Sequence, residues 1–309
     1  MLSRRHIRIK VMQSLYSYFS IDLEDLVTAQ KSMLNHFDEV IELKLILLSL
    51  LVELTNYADD FYEKGKKKYF PTSFDLHPNT RFVDNHIMRN IKNNSLLMKE
   101  ISKFSSFWTN NDHDILNKVF IDIIKSDVYN KYLQSKDFSI NYDKRFIIEI
   151  MNQYILNHHL VHHMLEERSI YWIDDLPFVA TIIFGDIKND FNIFSLEVFK
   201  DLSDKKFALD LFKSVVKNTI NYNNIIIKFS ENWELDRIAK MDQLIIKMAF
   251  AEIMTMKELP VKVSMNEYIE ISKYYSTQKS RVFINGLLDN FVKTYLKEGK
   301  IKKVGKGLV

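Results

Sequence analysis

Three apolar stripes at helical spacing, packed between Leu235 and Tyr295 with little slack, narrow the fold of this chain more than any other feature. Leu235, Ile238, Met241, Leu244, Ile245, Met248, Ala249 and Ile253 recur every three or four residues, with Arg237, Lys240, Asp242 and Lys247 between them. That period gives a helix one apolar and one polar face. Pro260 interrupts it, because proline lacks the N–H a helix interior needs and restrains Leu259 before it. A second stripe runs through Val261, Met265, Tyr268, Ile269, Ser272 and Tyr275. Its helix starts either at Pro260 or at Ser264, which has capping-box spacing to Glu267. The third stripe is Phe283, Ile284, Leu287, Leu288, Phe291, Val292 and Tyr295, with Gly286 inside it. A glycine costs about 1 kcal/mol in a helix interior, so Gly286 is expected to admit a neighbouring backbone.

Six glycines and four prolines in 309 residues leave few tight turns. With abundant helix formers they favour an all-α fold over a sandwich or barrel. The hydrophobic fraction, 47%, suffices for a core in one large domain or two small ones. Zero cysteines exclude a disulfide framework, a thiolate metal site and a cysteine nucleophile. The longest apolar run, Leu45 to Val52, is broken by Ser49 and flanked by Lys44 and Glu53. It falls short of the roughly 20 residues a membrane span needs. Gln13, Ser14, Ser17 and Ser20 break any signal-peptide hydrophobic region, and the expected location is cytoplasmic. Net charge is only +3, so attraction to nucleic acid requires local clustering.

Such a cluster opens the chain. Arg4, Arg5, His6, Arg8 and Lys10 precede the first acid, Asp22. On a helical projection Ile7, Val11, Met12, Leu15, Tyr18 and Phe19 share a face. Arg5, His6, Lys10, Gln13 and Tyr16 lie mostly opposite, and Arg4 and Arg8 fall in line with the apolar stripe. Burying those two arginines is costly, and cations at a helix N-terminus oppose its dipole by roughly 0.3–1 kcal/mol each. The first two turns are therefore expected to project past the core and to suit phosphate contacts. A solvated basic end, an anionic membrane surface and an organellar presequence compete with that expectation.

Between these ends the pattern predicts one or two long helices over 22–64, a solvated loop at Lys66-Lys67-Lys68, and further helices through about 230. Pro71, His77 and Pro78 mark a connection. His158, His159, His162 and His163, followed by Glu166 and Glu167, form two i, i+4, i+8 sets that invite a metal. A polar helix face explains them as well, and no second ligand cluster accompanies them. Asp174-Asp175 before Pro177 reads as an acid pair at a helix N-terminus rather than a catalytic dyad. No phosphate-binding glycine loop is present.

The order of residues adds to the periodicity. Val263-Ser264-Met265-Asn266-Glu267-Tyr268-Ile269-Glu270-Ile271-Ser272-Lys273, then Phe283-Ile284-Asn285-Gly286-Leu287-Leu288-Asp289 at the expected distance, resemble the last two helices of the NusB family of transcription antitermination factors. Trp233 and the run Asp242 to Ala249 resemble the helix before them. Ser3 to Arg8 and Val11 to Ser17 look like the family's N-terminal arginine-rich helix. The resemblance implies an all-α, NusB-like helical bundle enlarged by inserted helices, without catalytic activity, cofactor or bound metal. The expected segments are 1–64 with the basic helix, an insertion over 65–230, the bundle over 231–296, and a basic, disordered tail over 297–309.

It further implies partners: boxA-type single-stranded RNA, the ribosomal protein NusE and the transcription elongation complex, with no membrane. On the matching positions Arg4, Arg5, His6, Arg8, Lys10 and Tyr16, with Lys279, Arg281 and Phe283, would contact RNA. His6 stands where members carry arginine, and Lys279 where they often carry an acid. Phe283 would stack on a base or belong to the core. Asp236 and Asp242 would meet the basic NusE. A metal-dependent enzyme or metal-binding helical protein built on His158–Glu167 is the alternative.

Overall fold

The computed structural model describes residues 1–21, 25–109, 113–191, 195–230 and 234–304. Trp233, Gly305, Lys306 and Gly307 lie outside them. Among the described residues every regular element is helical: α1 (Arg4–Ser20), α2 (Leu26–Lys66), α3 (Ser73–Leu76), α4 (His86–Asn93), α5 (Ser95–Ile101), α6 (Ser105–Thr109), α7 (His113–Ile124), α8 (Asp127–Gln134), α9 (Ile140–Ile150), α10 (His159–Arg168), α11 (Trp172–Lys188), α12 (Leu202–Lys217), α13 (Thr219–Phe229), α14 (Lys240–Thr255), α15 (Val261–Tyr275) and α16 (Gln278–Lys297). None of these helices is long and apolar enough to cross a membrane.

The chain forms two compact units, one of Met1–Phe37 with Val198–Val309 and one of Asp38–Glu197. These boundaries differ from the expected 1–64, 65–230 and 231–296 for a physical reason. One 41-residue helix, Leu26–Lys66, runs through position 65, so no break exists there. α12 buries Phe207, Ala208, Leu211, Phe212 and Val215 and packs on α1 and α14, which makes it part of the terminal unit.

In the terminal unit α14 is the central rod. It touches α1, α12, α13, α15 and α16. Its sequence shows one stripe, yet Ile246, Phe250 and Ala251 on the other side are buried too. A helix surrounded on all sides is apolar all round. α15 begins at Val261 with Pro260 as N-cap, so the proline start prevails over Ser264. Gly286 is exposed, and a Cβ there meets nothing within 4 Å. The expected close backbone is absent at that position. The tail is ordered through Val304: Gly299 takes φ +64° and ends α16, Ile301 is buried, and Lys303 Nζ donates to the Met256 carbonyl at 2.8 Å.

In the unit of Asp38–Glu197, Leu43, Ile46, Leu47, Leu50, Leu51 and Leu54 of α2 are fully buried. Ser49, the break in that run, accepts from Trp108 Nε1 at 2.8 Å and donates to the Ile46 carbonyl. Lys44 is buried against Asp186 at 2.6 Å. Tyr132 stacks on Phe146 with centroids 3.7 Å apart. Asp174 and Asp175 occupy the first turn of α11, and α9 passes into a π-helical turn, Met151–Ile155.

Candidate nucleic-acid interface

α1 is capped by Ser3, whose side chain accepts from the His6 N–H at 3.4 Å. The helix lies against α12, α14 and α15, and its basic residues do not project freely. Arg8 is 2% exposed. It donates to both carboxylate oxygens of Glu252 on α14, at 2.7 and 2.6 Å. Glu252, fully buried, also accepts from Ser264 Oγ at 2.7 Å and Tyr268 Oη at 2.9 Å. Burial alone would favour a neutral guanidinium, but the bond to Glu252, the charge of Glu252 and the nearby Tyr268 and Glu267 together outweigh it and hold the Arg8 pKa above its ordinary value. Lys10 is buried as well. The expectation of an exposed Arg8 and Lys10 is thus corrected. The apolar line through Arg4 and Arg8 is a packed face, and Glu252 waits inside it.

The outer residues are graded by depth. Arg5 makes two parallel bonds to Glu267 of α15, both 2.9 Å, and those bonds hold the Glu267 carboxyl below its usual range. Arg4 donates to Asp204 of α12 at 2.8 Å. The guanidinium carbons of Arg4 and Arg8 both approach the Phe207 ring, at 4.9 and 5.2 Å from its centroid. Arg4 and Arg5 keep 38% and 42% of their side-chain surface in solvent. Burial, with Arg5 nearby, pushes the His6 pKa down to about 4, so His6 brings no positive charge at neutral pH.

Two concavities lie on the same unit. The first, about 270 Å³, is lined by Arg237, Ile238, Ala239, Asp242, Lys279, Ser280 and Phe283. It forms where the start of α14 meets the start of α16. Phe283 is half-buried, Lys279 is exposed and Arg281 is half-buried. Asp242, expected to face a partner, is 5% exposed and accepts from Ser276 Oγ at 2.5 Å. Its carboxylate is committed to Ser276 rather than held out in solvent, which corrects the expectation of an exposed acid there. Asp236 is exposed on a short 3-10 turn, Leu235–Arg237. Gln243 ties that turn to α14 by donating to the Leu235 and Ile238 carbonyls.

The second concavity, about 180 Å³, is lined by Tyr16, Phe19, Ser20, Lys240, Gln243, Leu244 and Lys247. Tyr16 is exposed. Lys247 is buried with its ammonium 5.6 Å from the Phe19 centroid, and burial lowers its pKa. Phe19, Arg237, Lys240 and Lys247 read in the sequence only as members of an apolar or polar helix face, because they join these hollows only through tertiary packing.

The histidines sit in the other unit. His158 is buried with Nε2 3.4 Å from Asp122 and its ring stacked on His159. His162 Nε2 lies 2.5 Å from the Leu156 carbonyl, and His163 pairs with Glu167 at 3.4 Å. Among the described residues no three His, Asp or Glu side chains gather as a metal site.

An all-helical protein with two cation-and-aromatic hollows, one between α1 and α14 and one between α14 and α16, is the class these coordinates define. The model of the NusB family matches residues 187–293. The transcription antitermination protein NusB of Salinibacter ruber is 39% identical over 110 residues, 36% of this chain and 69% of that protein. That of Alkaliphilus oremlandii is 36% identical over 111 residues, covering 34% and 80%. That of Chloroherpeton thalassium is 40% identical over 113 residues, covering 37% of this chain and 54% of that protein, about half its length. No solved structure matches. The chain belongs to the NusB family. α1 and most of the Asp38–Glu197 unit lie outside the span matched by the family model.

Proposed function

We propose that this chain is a non-enzymatic, cytoplasmic transcription antitermination factor. It binds boxA-type single-stranded RNA together with NusE and acts on the elongating polymerase to promote read-through of ribosomal RNA genes. The observation that carries this reading is the hollow between α14 and α16. It offers a half-buried phenylalanine, Phe283, beside Lys279 and Arg237. Single strands are commonly held by rings that stack on bases and cations that meet phosphates. Arg281, Arg4 and Arg5 stand as further cations of the same unit, and Tyr16 with Asp236 offers NusE a partly exposed face.

The test is equilibrium binding of a fluorescent U/A-rich strand to the full chain, with and without NusE, across salt concentrations. Affinity should fall with salt at a log–log slope of roughly −0.7 per phosphate neutralised. Lys279→Glu should shallow that slope by about one phosphate and weaken binding about tenfold. Phe283→Leu keeps core volume and should weaken binding without altering the slope. Absence of binding by the wild-type chain, with NusE present, would remove the proposal.

A further inference from the structure

The end of α2 and the turn after it expose more apolar surface than folding explains. Within eight positions Tyr69, Phe70, Phe74 and Leu76 all stand in solvent, Tyr69 at 90% and Phe70 at 83% exposure. Rings left in water forgo the stabilisation that burial gives, and a pliable turn would fold them back. This turn is instead tied firmly. Asp75 is buried and accepts from Lys68 Nζ at 2.8 Å, Thr72 Oγ1 at 2.8 Å and the Thr72 N–H at 2.9 Å. Thr72 Oγ1 accepts from the Asp75 N–H in return, closing a capping box. Gly65 makes room for it, since a Cβ there would stand 2.9 Å from Asp75 Oδ1. The Lys68 bond, with those from Thr72, holds the Asp75 carboxyl down at about 2, so the clamp persists at ordinary pH.

What the clamp presents is a pair of rings, centroids 4.7 Å apart and planes at 87°, directly after Lys66-Lys67-Lys68. Lys66 is paired with Glu63 and Lys68 with Asp75. Lys64 and Lys67 are exposed, and Lys67 lies near Glu63, whose carboxyl Lys66 already holds. Exposed rings on a clamped turn, beside exposed ammonium groups, match the alternation of base and phosphate along a single strand. A bilayer anchor draws instead on an amphipathic helix and a larger cluster of cations. Here α3 has four residues and two of the lysines are already neutralised.

We propose that the Lys64–Phe70 turn is a second contact for single-stranded RNA, with bases stacking on Tyr69 and Phe70 and Lys67 meeting the adjacent phosphate. The contact lies in the Asp38–Glu197 unit and stands independently of the boxA and NusE reading.

Photocrosslinking of a 5-iodouridine strand of about 12 nucleotides to the full chain, mapped by mass spectrometry, tests it. Adducts are expected on Tyr69 or Phe70. Tyr69→Ala with Phe70→Ala changes only exposed side chains and should remove those adducts while leaving helical content intact. Affinity should fall at least about fivefold, and Lys67→Ala should reduce the salt slope by about 0.7. Adducts confined to Phe283 and its neighbours would overturn this proposal and leave the α14–α16 hollow standing. Adducts on Tyr69 or Phe70 alone would support it while the hollow fails. Binding of phosphatidylserine vesicles that is lost in the double variant, with RNA affinity unchanged within about twofold, would make the turn a bilayer contact and overturn it.

Discussion

Replacing Arg8 by alanine should unfold the terminal unit locally rather than simply weaken RNA binding. The guanidinium supplies two of the four hydrogen bonds that Glu252 accepts, at 2.7 and 2.6 Å, inside a site where Arg8 is 2% and Glu252 0% exposed. After Arg8→Ala the carboxylate retains Ser264 and Tyr268 and loses its only counter-charge among them. Removing one partner of a buried ion pair costs about 3–5 kcal/mol, against a total stability of about 5–15 kcal/mol for an ordinary domain. Hydrogen exchange read on peptides of α14 and α15 isolates this unit. Protection there should fall by a factor of about 140 to 4,000, which is that cost at about 1.4 kcal/mol per decade. Arg8→Met combined with Glu252→Gln removes both charges and should recover most of the loss, because a neutral, packed substitute for a buried pair is often nearly as stable. Unchanged protection in Arg8→Ala, within about 1 kcal/mol, together with a tenfold fall in RNA affinity, would refute the burial argument. Arg8 would then be a direct RNA contact on an opened α1.

Gly286→Ala should raise stability by about 0.5–1 kcal/mol in denaturant titration, since the added Cβ meets nothing within 4 Å on an exposed face of α16; a loss of stability would show that a backbone closes on it after all. His6 should titrate by NMR near pH 4. Its folded pKa lies below the unfolded value of about 6.5, so the folded state binds fewer protons between those two values. Its contribution is intact above pH 6.5 and is lost as pH falls toward 4; a midpoint near 6.5 would contradict the burial of its ring.

The class of fold was legible because helices announce themselves locally. The stripes of α15 and α16 lie where periodicity places them, and Pro260 separates α14 from α15. The first stripe loses Leu235 and Ile238 to a short 3-10 turn and its exit before α14 starts at Lys240. What periodicity does not encode is which helix covers which face. Ile246 and Phe250 look like the polar side of α14 until α13 and α16 cover them. The buried pair was hinted at in two places. Arg8 is stranded in the apolar line of α1, and Glu252 is the lone acid in the run Met248 to Ile253. Each charge is costly alone, and each explains the other. Domain boundaries were the least visible feature, because α2 runs through the point where composition suggested a break.

The arginines at the basic start of this chain are graded by depth. Arg8 is committed to Glu252, and desolvation makes that commitment hard to reverse. Arg5 and Arg4 remain partly in water, where an ion pair contributes only about 0–1 kcal/mol. A backbone phosphodiester offers the same bidentate geometry and the same single negative charge as a carboxylate. Arg5 can leave Glu267 for a phosphate at little cost, provided the strand also finds a ring on which to stack. Phe283 lies at the start of α16 and Arg5 on α15's partner face, within one compact unit. On the proposed function, RNA meets the rim of α1 by exchange of partners at Arg4 and Arg5, while the inner Arg8 holds α1, α14 and α15 in the arrangement that makes the rim.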